Sequence, residues 1–387
     1  MKFSRRGRWA VPAGVLAAVG AVMAGALIST AQASPPLPAR TPAQLLAAIA
    51  GHTGPVPALT GTVVESASLG LPNLPGTGNP TSVTSLLTGS HTVRIWYADA
   101  SHVRLAVPGS MSESDLVVNG STAWYWQSTT SSVTRFTVPA GTDPAGHAPA
   151  PAMALTPQQA AKQALAAVGP STKVSVQSNV TVAGEAAYQL VLAPKSSGSL
   201  IGQVRIAVDG ARDVPLRVQI FARGAKSPAF QVGFTSVSFV RPAAANFAFT
   251  PPPGAKVKTV SLGAAHHAAA GKQVMTGTAP SVIGKDWLTV AVLPASALSG
   301  VTGSSAAASK AASSAAQAAS GSGPGASTDN SALFGALLRS ATSVHGSWGS
   351  GRLLHTGLLS MLITSNGHVL VGAVTPSVLY ADAAQVK

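Results

Sequence analysis

The side chains able to do chemistry are few and poorly placed for it. Only 11 of the 387 residues are acidic, a thin supply for a reaction that sets two carboxylates at different protonation states. Glu113 and Asp115 stand two apart and would share one strand face, but a solvated strand start accounts for them equally well. Asp209 and Asp213 bracket Gly210-Ala211-Arg212, which is turn chemistry. The nine histidines are scattered apart from His266-His267. That pair lies among Ala and Gly, where nothing would orient it, whereas a metal site needs held ligands and outer partners. Cysteine is absent, which removes disulfides, thiolate metal sites and lipid attachment at an N-terminal cysteine. No G-x-S-x-G elbow, P-loop, G-x-G-x-x-G fingerprint or H-E-x-x-H helix occurs. The residues therefore predict no enzyme, no metal and no cofactor. Trp124, Tyr125 and Trp126 could form a sugar platform, but alternation puts Trp124 and Trp126 on one face, where lining a core or cavity is the economical reading.

The elements that would hold these side chains are mostly strands. Thr41-Pro42 opens a short helix with an N-cap residue, a first-turn proline and apolar spacing, and Thr156-Pro157 repeats that start. From Gly61 the period becomes two. Thr62–Leu69, His91–Tyr97, His102–Val107, Ser114–Val118, Thr122–Gln127 and Val133–Val138 read as strands, and so do Lys173–Val182, Ala186–Leu192, Ile201–Val208, Pro215–Ala222 and Phe230–Val240. Eleven strands joined by short turns predict one large curved antiparallel sheet with helices packed on it, an α+β fold. A helical lid over its hollow face would enclose an apolar cavity. Further on, Gly357–Thr364, the turn Ser365-Asn366-Gly367-His368 and Val369–Val374 give the strongest hairpin signal in the chain. A last helix starts at Thr375-Pro376, so a small C-terminal α+β module is expected.

The chain begins with Lys2, Arg5, Arg6 and Arg8, followed by an uncharged run from Ala10 to Ile28 and the small-x-small sequence Ala31-Gln32-Ala33. This is an export signal, with a mature start near Ser34, or else an uncleaved anchor. The net charge is +14, and removing those four leaves 21 of the 25 basic residues against 11 acids. Basic residues occur singly, without the Lys/Arg clusters and interleaved aromatics of nucleic-acid binders. An anionic membrane surface is the better-matched neighbour.

Four runs carry a family resemblance. Val103-Arg104-Leu105-Ala106-Val107-Pro108, followed by Asp115-Leu116-Val117-Val118-Asn119-Gly120-Ser121-Thr122-Ala123-Trp124-Tyr125-Trp126, resembles the LolA pattern of an Arg-bearing strand, a proline and L-V-x-[DN]-G-x-x-x-W. Phe247-Ala248-Phe249-Thr250-Pro251-Pro252-Pro253-Gly254-Ala255-Lys256-Val257 resembles the F-x-F-x-P-P-x-G-x-x-V ending of that domain. Gly367-His368-Val369-Leu370-Val371-Gly372-Ala373-Val374-Thr375-Pro376 is similar to the closing strand of the RseB type. The resemblance implies an unclosed barrel of about eleven strands with a helical lid, in a cell-envelope protein that shields an acyl chain of a lipid or lipoprotein as carrier or chaperone. The alternative it implies is an RseB-like sensor that binds a membrane anti-sigma factor.

The wall candidates for such a cavity are Val93, Ile95, Val103, Leu105, Trp124, Trp126, Leu190, Ile206, Val218, Ile220, Val232 and Phe234. Arg104 matches the family's strand arginine and is the candidate for a headgroup or partner contact. The expected organisation is a signal peptide over 1–33 and a LolA-like domain over 34–257. A connecting segment and strand over 258–294, an Ala/Ser/Gly linker over 295–330 and a hairpin-helix module over 331–387 complete it.

Overall fold

The computed structural model describes residues 37–50, 56–68, 88–109, 111–137, 156–166, 168–261, 281–294 and 340–386. The expected signal segment and linker lie outside these residues. Period-two stretches punctuated by Gly, Asn and Asp turns fold as two meanders. The first contains β1 (Leu59–Ser68), β2 (Thr88–Asp99), β3 (His102–Pro108), β4 (Glu113–Asn119), β5 (Thr122–Gln127) and β6 (Ser132–Thr137). The second contains β7 (Thr172–Val182), β8 (Glu185–Pro194), β9 (Ile201–Asp209), β10 (Pro215–Ala222) and β11 (Phe230–Ser238). Antiparallel pairing of β1 with β11 sews the meanders into one unclosed sheet. All eleven expected strands are present, within a few residues at their ends.

A twelfth strand, β12 (Lys256–Ser261), was not expected. It runs parallel to β6 at the sheet's edge, so the sheet is mixed and not wholly antiparallel. No hairpin signal could announce it, because its partner lies more than a hundred residues earlier. The strap from β11 to β12 crosses the outer face of the first meander. Arg241 donates to the Ala98 carbonyl at 3.2 Å and to Asp99 at 2.8 Å. Phe247 meets His102 edge-on, Phe249 packs on Trp124, and Gly254, at φ 79°, turns the chain into β12. The F-x-F-x-P-P-x-G signature is thus the strap's packing and turning device. Burial works against the Asp99 carboxylate, but hydrogen bonds from His102, Arg241 and the Ser101 amide outweigh it and hold its pKa below the usual value.

A separate six-stranded sheet contains β13 (Ser281–Ile283), β14 (Val290–Pro294), β15 (Thr342–Gly346), β16 (Gly349–His355), β17 (Ser360–Thr364) and β18 (His368–Gly372). Its order is β13-β14-β18-β17-β16-β15. The expected hairpin is β17–β18, turned at Gly367 with φ 87°, a conformation that costs glycine little. β15 and β16 are rich in Gly and Ser and gave no strand signal. The residues before the linker join this sheet as β13 and β14. The final helix (Pro376–Ala383) packs Leu379 against Leu362, Leu370 and Val374.

The two sheets meet at one end of the second meander. Trp287, 8% exposed, donates its indole N–H to Thr172 Oγ1 at 2.7 Å and belongs to the main core. Ser171 donates to Asp286 at 2.8 Å. The Thr375 amide donates to the Gly198 carbonyl, and the Leu200 amide to Ala373.

Candidate functional site: an apolar cavity beneath a capped helix

Residues directly opposed across an antiparallel ladder share a face, so the register sorts the main sheet into an inner and an outer surface. On the inner surface, one continuous row runs His91, Glu65, Val232, Val218, Ile206, Leu190 and Val176. Helix α1 (Pro42–Ala50) packs near β7, and helix α2 (Pro157–Ala166) packs on β10 and β11. Beneath them Leu190 and Ile206 are 0% exposed, Val218 1% and Val232 0%. This end of the inner surface is filled.

The other end is hollow. A cavity of about 260 Å³ is lined by strand residues that include Leu59, Ile95, Tyr97, Val103, Leu105, Leu116, Val118 and Phe234, together with Val56 and Val214-Pro215. Its roof is Thr156-Pro157-Gln158-Gln159, the first turn of α2. That turn is fixed by a reciprocal capping box: the Gln159 amide donates to Thr156 Oγ1 at 3.2 Å, and the Thr156 amide to Gln159 Oε1 at 3.0 Å. Helix α1 starts with the same device through Thr41 and Gln44. A neighbouring cavity of about 430 Å³ shares Val56, Gln158, Val214 and Pro215 with the first and adds Ile49, Leu165, Lys162 and Asp213. Asp213 is bound by Arg40, whereas Lys162 makes no ion pair among the described residues. The first cavity is lined mainly by hydrocarbon, whereas the second is mixed, with Gln158, Lys162 and the Arg40-bound Asp213 among its lining.

The twelve wall candidates therefore part company. Ile95, Val103, Leu105 and Phe234 line the cavity. Val93, Leu190, Ile206, Val218 and Val232 are core around it, and Ile220 packs partly buried against that core. Trp124 and Trp126 require a correction. Trp124 opposes Val117 and Trp126 opposes Asp115, while Tyr125 opposes the cavity residue Leu116. Both tryptophans consequently lie on the outer face, where Trp124 packs beneath Phe249 and against Arg135. Alternation correctly put them on one face, but nothing local says which face looks inward.

Arg104 is on the outer face as well. It donates to Asp115 at 2.6 Å and lies over the Trp96 ring at 5.3 Å, away from the cavity. Sequence reasoning missed Lys162, Val56, Val214 and the α2 cap as cavity residues. The cap was visible as a helix start, and Tyr97, Leu116 and Val118 continue an alternation already noted; the loop residues gave no signal.

One acid intrudes on the inner face. Glu65 is 6% exposed beside Val232 and His91, and its burial raises its pKa against a smaller opposing effect of His91. Among the described residues, no three His, Cys, Asp or Glu side chains gather to hold a metal ion, and no helix is long and apolar enough to cross a membrane.

Solved structures similar to this chain come from several bacteria. The MucA/MucB complex of Pseudomonas aeruginosa aligns at 14% identity over 88% of this chain and 94% of that one, with a TM-score of 0.38. A LolA superfamily protein from Nitrosomonas europaea aligns at 10% identity over 55% of this chain and 99% of its own, with a TM-score of 0.22. An uncharacterised conserved protein from Thermus thermophilus aligns at 12% over 56% and 98%, with a TM-score of 0.30. These are likenesses of fold. No protein-family profile matches the chain, and no curated protein matches it.

Proposed function

We propose that this protein is an exported, non-enzymatic binding protein of the cell envelope that shields an acyl chain of a lipid or lipoprotein in the cavity beneath α2. The observation that carries the reading is the hydrocarbon lining of Ile95, Val103, Leu105, Leu116, Val118 and Phe234 under a helix start held by its own capping box. Of the two adjoining cavities, the second, about 430 Å³, falls within the roughly 300–1,000 Å³ of small-molecule sites, and the first, about 260 Å³, lies just below it. Each buried methylene is worth about 0.8 kcal/mol, so a long chain gains roughly 10 kcal/mol before the costs of binding. Lys162, on the adjoining cavity, suits an anionic headgroup better than Arg104 does.

Fluorescent fatty-acid titration and native mass spectrometry of protein purified from its own host test the reading together. Saturable probe uptake and a retained lipid mass are expected. Absence of both removes the acyl-chain reading.

Among the described residues, the six-stranded sheet lines neither cavity. That favours a second role for it, docking on a membrane protein as in an RseB-type regulator. Pull-down from detergent-solubilised membranes with and without residues 281–387 distinguishes the two: loss of a membrane partner on truncation supports docking, and an unchanged partner set argues against it.

A further inference from the structure

On the outer face, opposite the lipid cavity, the register builds a second concavity, of about 280 Å³, where β1, β2 and β11 meet. Two cross-strand rows form its floor. Ser238, Thr60 and Trp96 oppose one another in one row, and Ser236, Thr62 and Arg94 in the next. Four hydroxyl-bearing side chains thus flank one indole and one guanidinium.

The sheet is irregular at this point. A bulge falls between Thr62 and Val63, and Thr235 Oγ1 donates to the Thr62 carbonyl at 3.2 Å. Bulges bend a strand locally and re-aim its side chains. The strands also approach unusually closely, since a Cβ at Gly61 would sit 2.6 Å from the Ser236 carbonyl oxygen.

The indole is held in place. Arg104 lies over the Trp96 ring at 5.3 Å and is itself bound by the buried Asp115 at 2.6 Å. Arg94 is exposed and makes no ion pair among the described residues, and no acid lines the concavity.

From this we infer that the outer face carries an acidic-saccharide site, in which Trp96 packs against a sugar ring, Thr60, Thr62, Ser236 and Ser238 hydrogen-bond its hydroxyls, and Arg94 pairs with its carboxylate. A flat apolar ring face suits an indole, and a ring of hydroxyls needs partners that both donate and accept, as Ser and Thr do. A guanidinium fork pairs both oxygens of a planar carboxylate at once. A purely apolar ligand would leave the four hydroxyls without water or partner, and a bare inorganic anion would leave the indole unused. The polar side chains of this site point from the other surface of the same strands, and Ile95, which lies between the two rows, borders both concavities.

Isothermal titration of the full mature chain with trigalacturonate, maltotriose and inorganic phosphate tests the inference. Saturable trigalacturonate binding is expected, with maltotriose much weaker and phosphate unable to compete at equal concentration. Arg94→Gln, at an exposed position that leaves the fold intact, should weaken trigalacturonate binding about tenfold, the worth of one hydrogen bond to a charged group. The double variant Thr60→Val, Thr62→Val keeps side-chain shape, removes two hydroxyls, and should weaken it several-fold. Fatty-acid probe uptake should be unchanged in both. No trigalacturonate binding by the parent, binding indifferent to R94Q, or phosphate binding as tightly as the sugar acid would each overturn the assignment.

Discussion

The inner surface of the main sheet is one alternating apolar pattern put to two uses. Across β8 to β11 the row Leu190, Ile206, Val218 and Val232 is sealed, between 0% and 1% exposed. Across β2, β3 and β11 the residues Ile95, Val103, Leu105 and Phe234 retain 6–9% exposure and border empty space. The residue types are the same, and so is the strand period. What differs is where α1 and α2 come to rest, which depends on loops and caps and not on the strands. Packing therefore separates wall from core where hydrophobicity cannot.

The largest expected effect comes from breaking the sealed side. Ile206→Ala should cost about 2–5 kcal/mol in denaturant unfolding, because a filled site cannot collapse around the lost atoms. The folded fraction should still take up a fatty-acid probe with parental affinity. Leu105→Ala should behave in the opposite way, losing roughly 1–2 kcal/mol because part of the side chain already faces a void, while changing probe affinity. Leu105→Trp sharpens the contrast: filling the cavity should abolish probe uptake and leave the melting temperature close to that of the parent. If Leu105→Ala proves as costly as Ile206→Ala, the two halves are equally packed and the cavity reading fails.

The smallest effect concerns Glu65, the acid at the end of the sealed row. Its folded pKa is raised, so folding favours the protonated form. That contribution is complete below the ordinary value of 4.5 and is lost as pH rises through the raised folded value. Glu65→Gln should therefore raise the melting temperature relative to the parent at pH 7 and make little difference at pH 4. Calorimetry at the two pH values reads the difference directly.

Much of this fold was legible in the sequence because its determinants are local. Thr41-Pro42 and Thr156-Pro157 announced both capped helices, and alternation located the eleven strands within a few residues. The illegible parts are those whose partners are distant. β12 pairs with a strand more than a hundred residues away. β15 and β16 offer Gly and Ser where a strand signal wants branched or aromatic residues. Trp124 and Trp126 lie on the outer surface, where Phe249, from the distant strap, packs on Trp124. At the cavity, four of the twelve candidates reached the lining, since period-two patterning gives the face of a residue but not what stands opposite it.

The seam between β1 and β11 has a consequence for how the chain must be made. Each meander consists of neighbours in sequence and closes its loops at small entropic cost. The seam and the strap do not: β1 waits for residues 230–238, and β6 for residues 256–261. The edge of β1 stays bare until residue 238 has been delivered and that of β6 until residue 261, each a template for pairing with another molecule. A chain threaded outward from its N-terminus would thus expose its first half before its closure arrives. Partners that cover strand edges during delivery, and not the strength of the finished core, would then set how much folded protein accumulates.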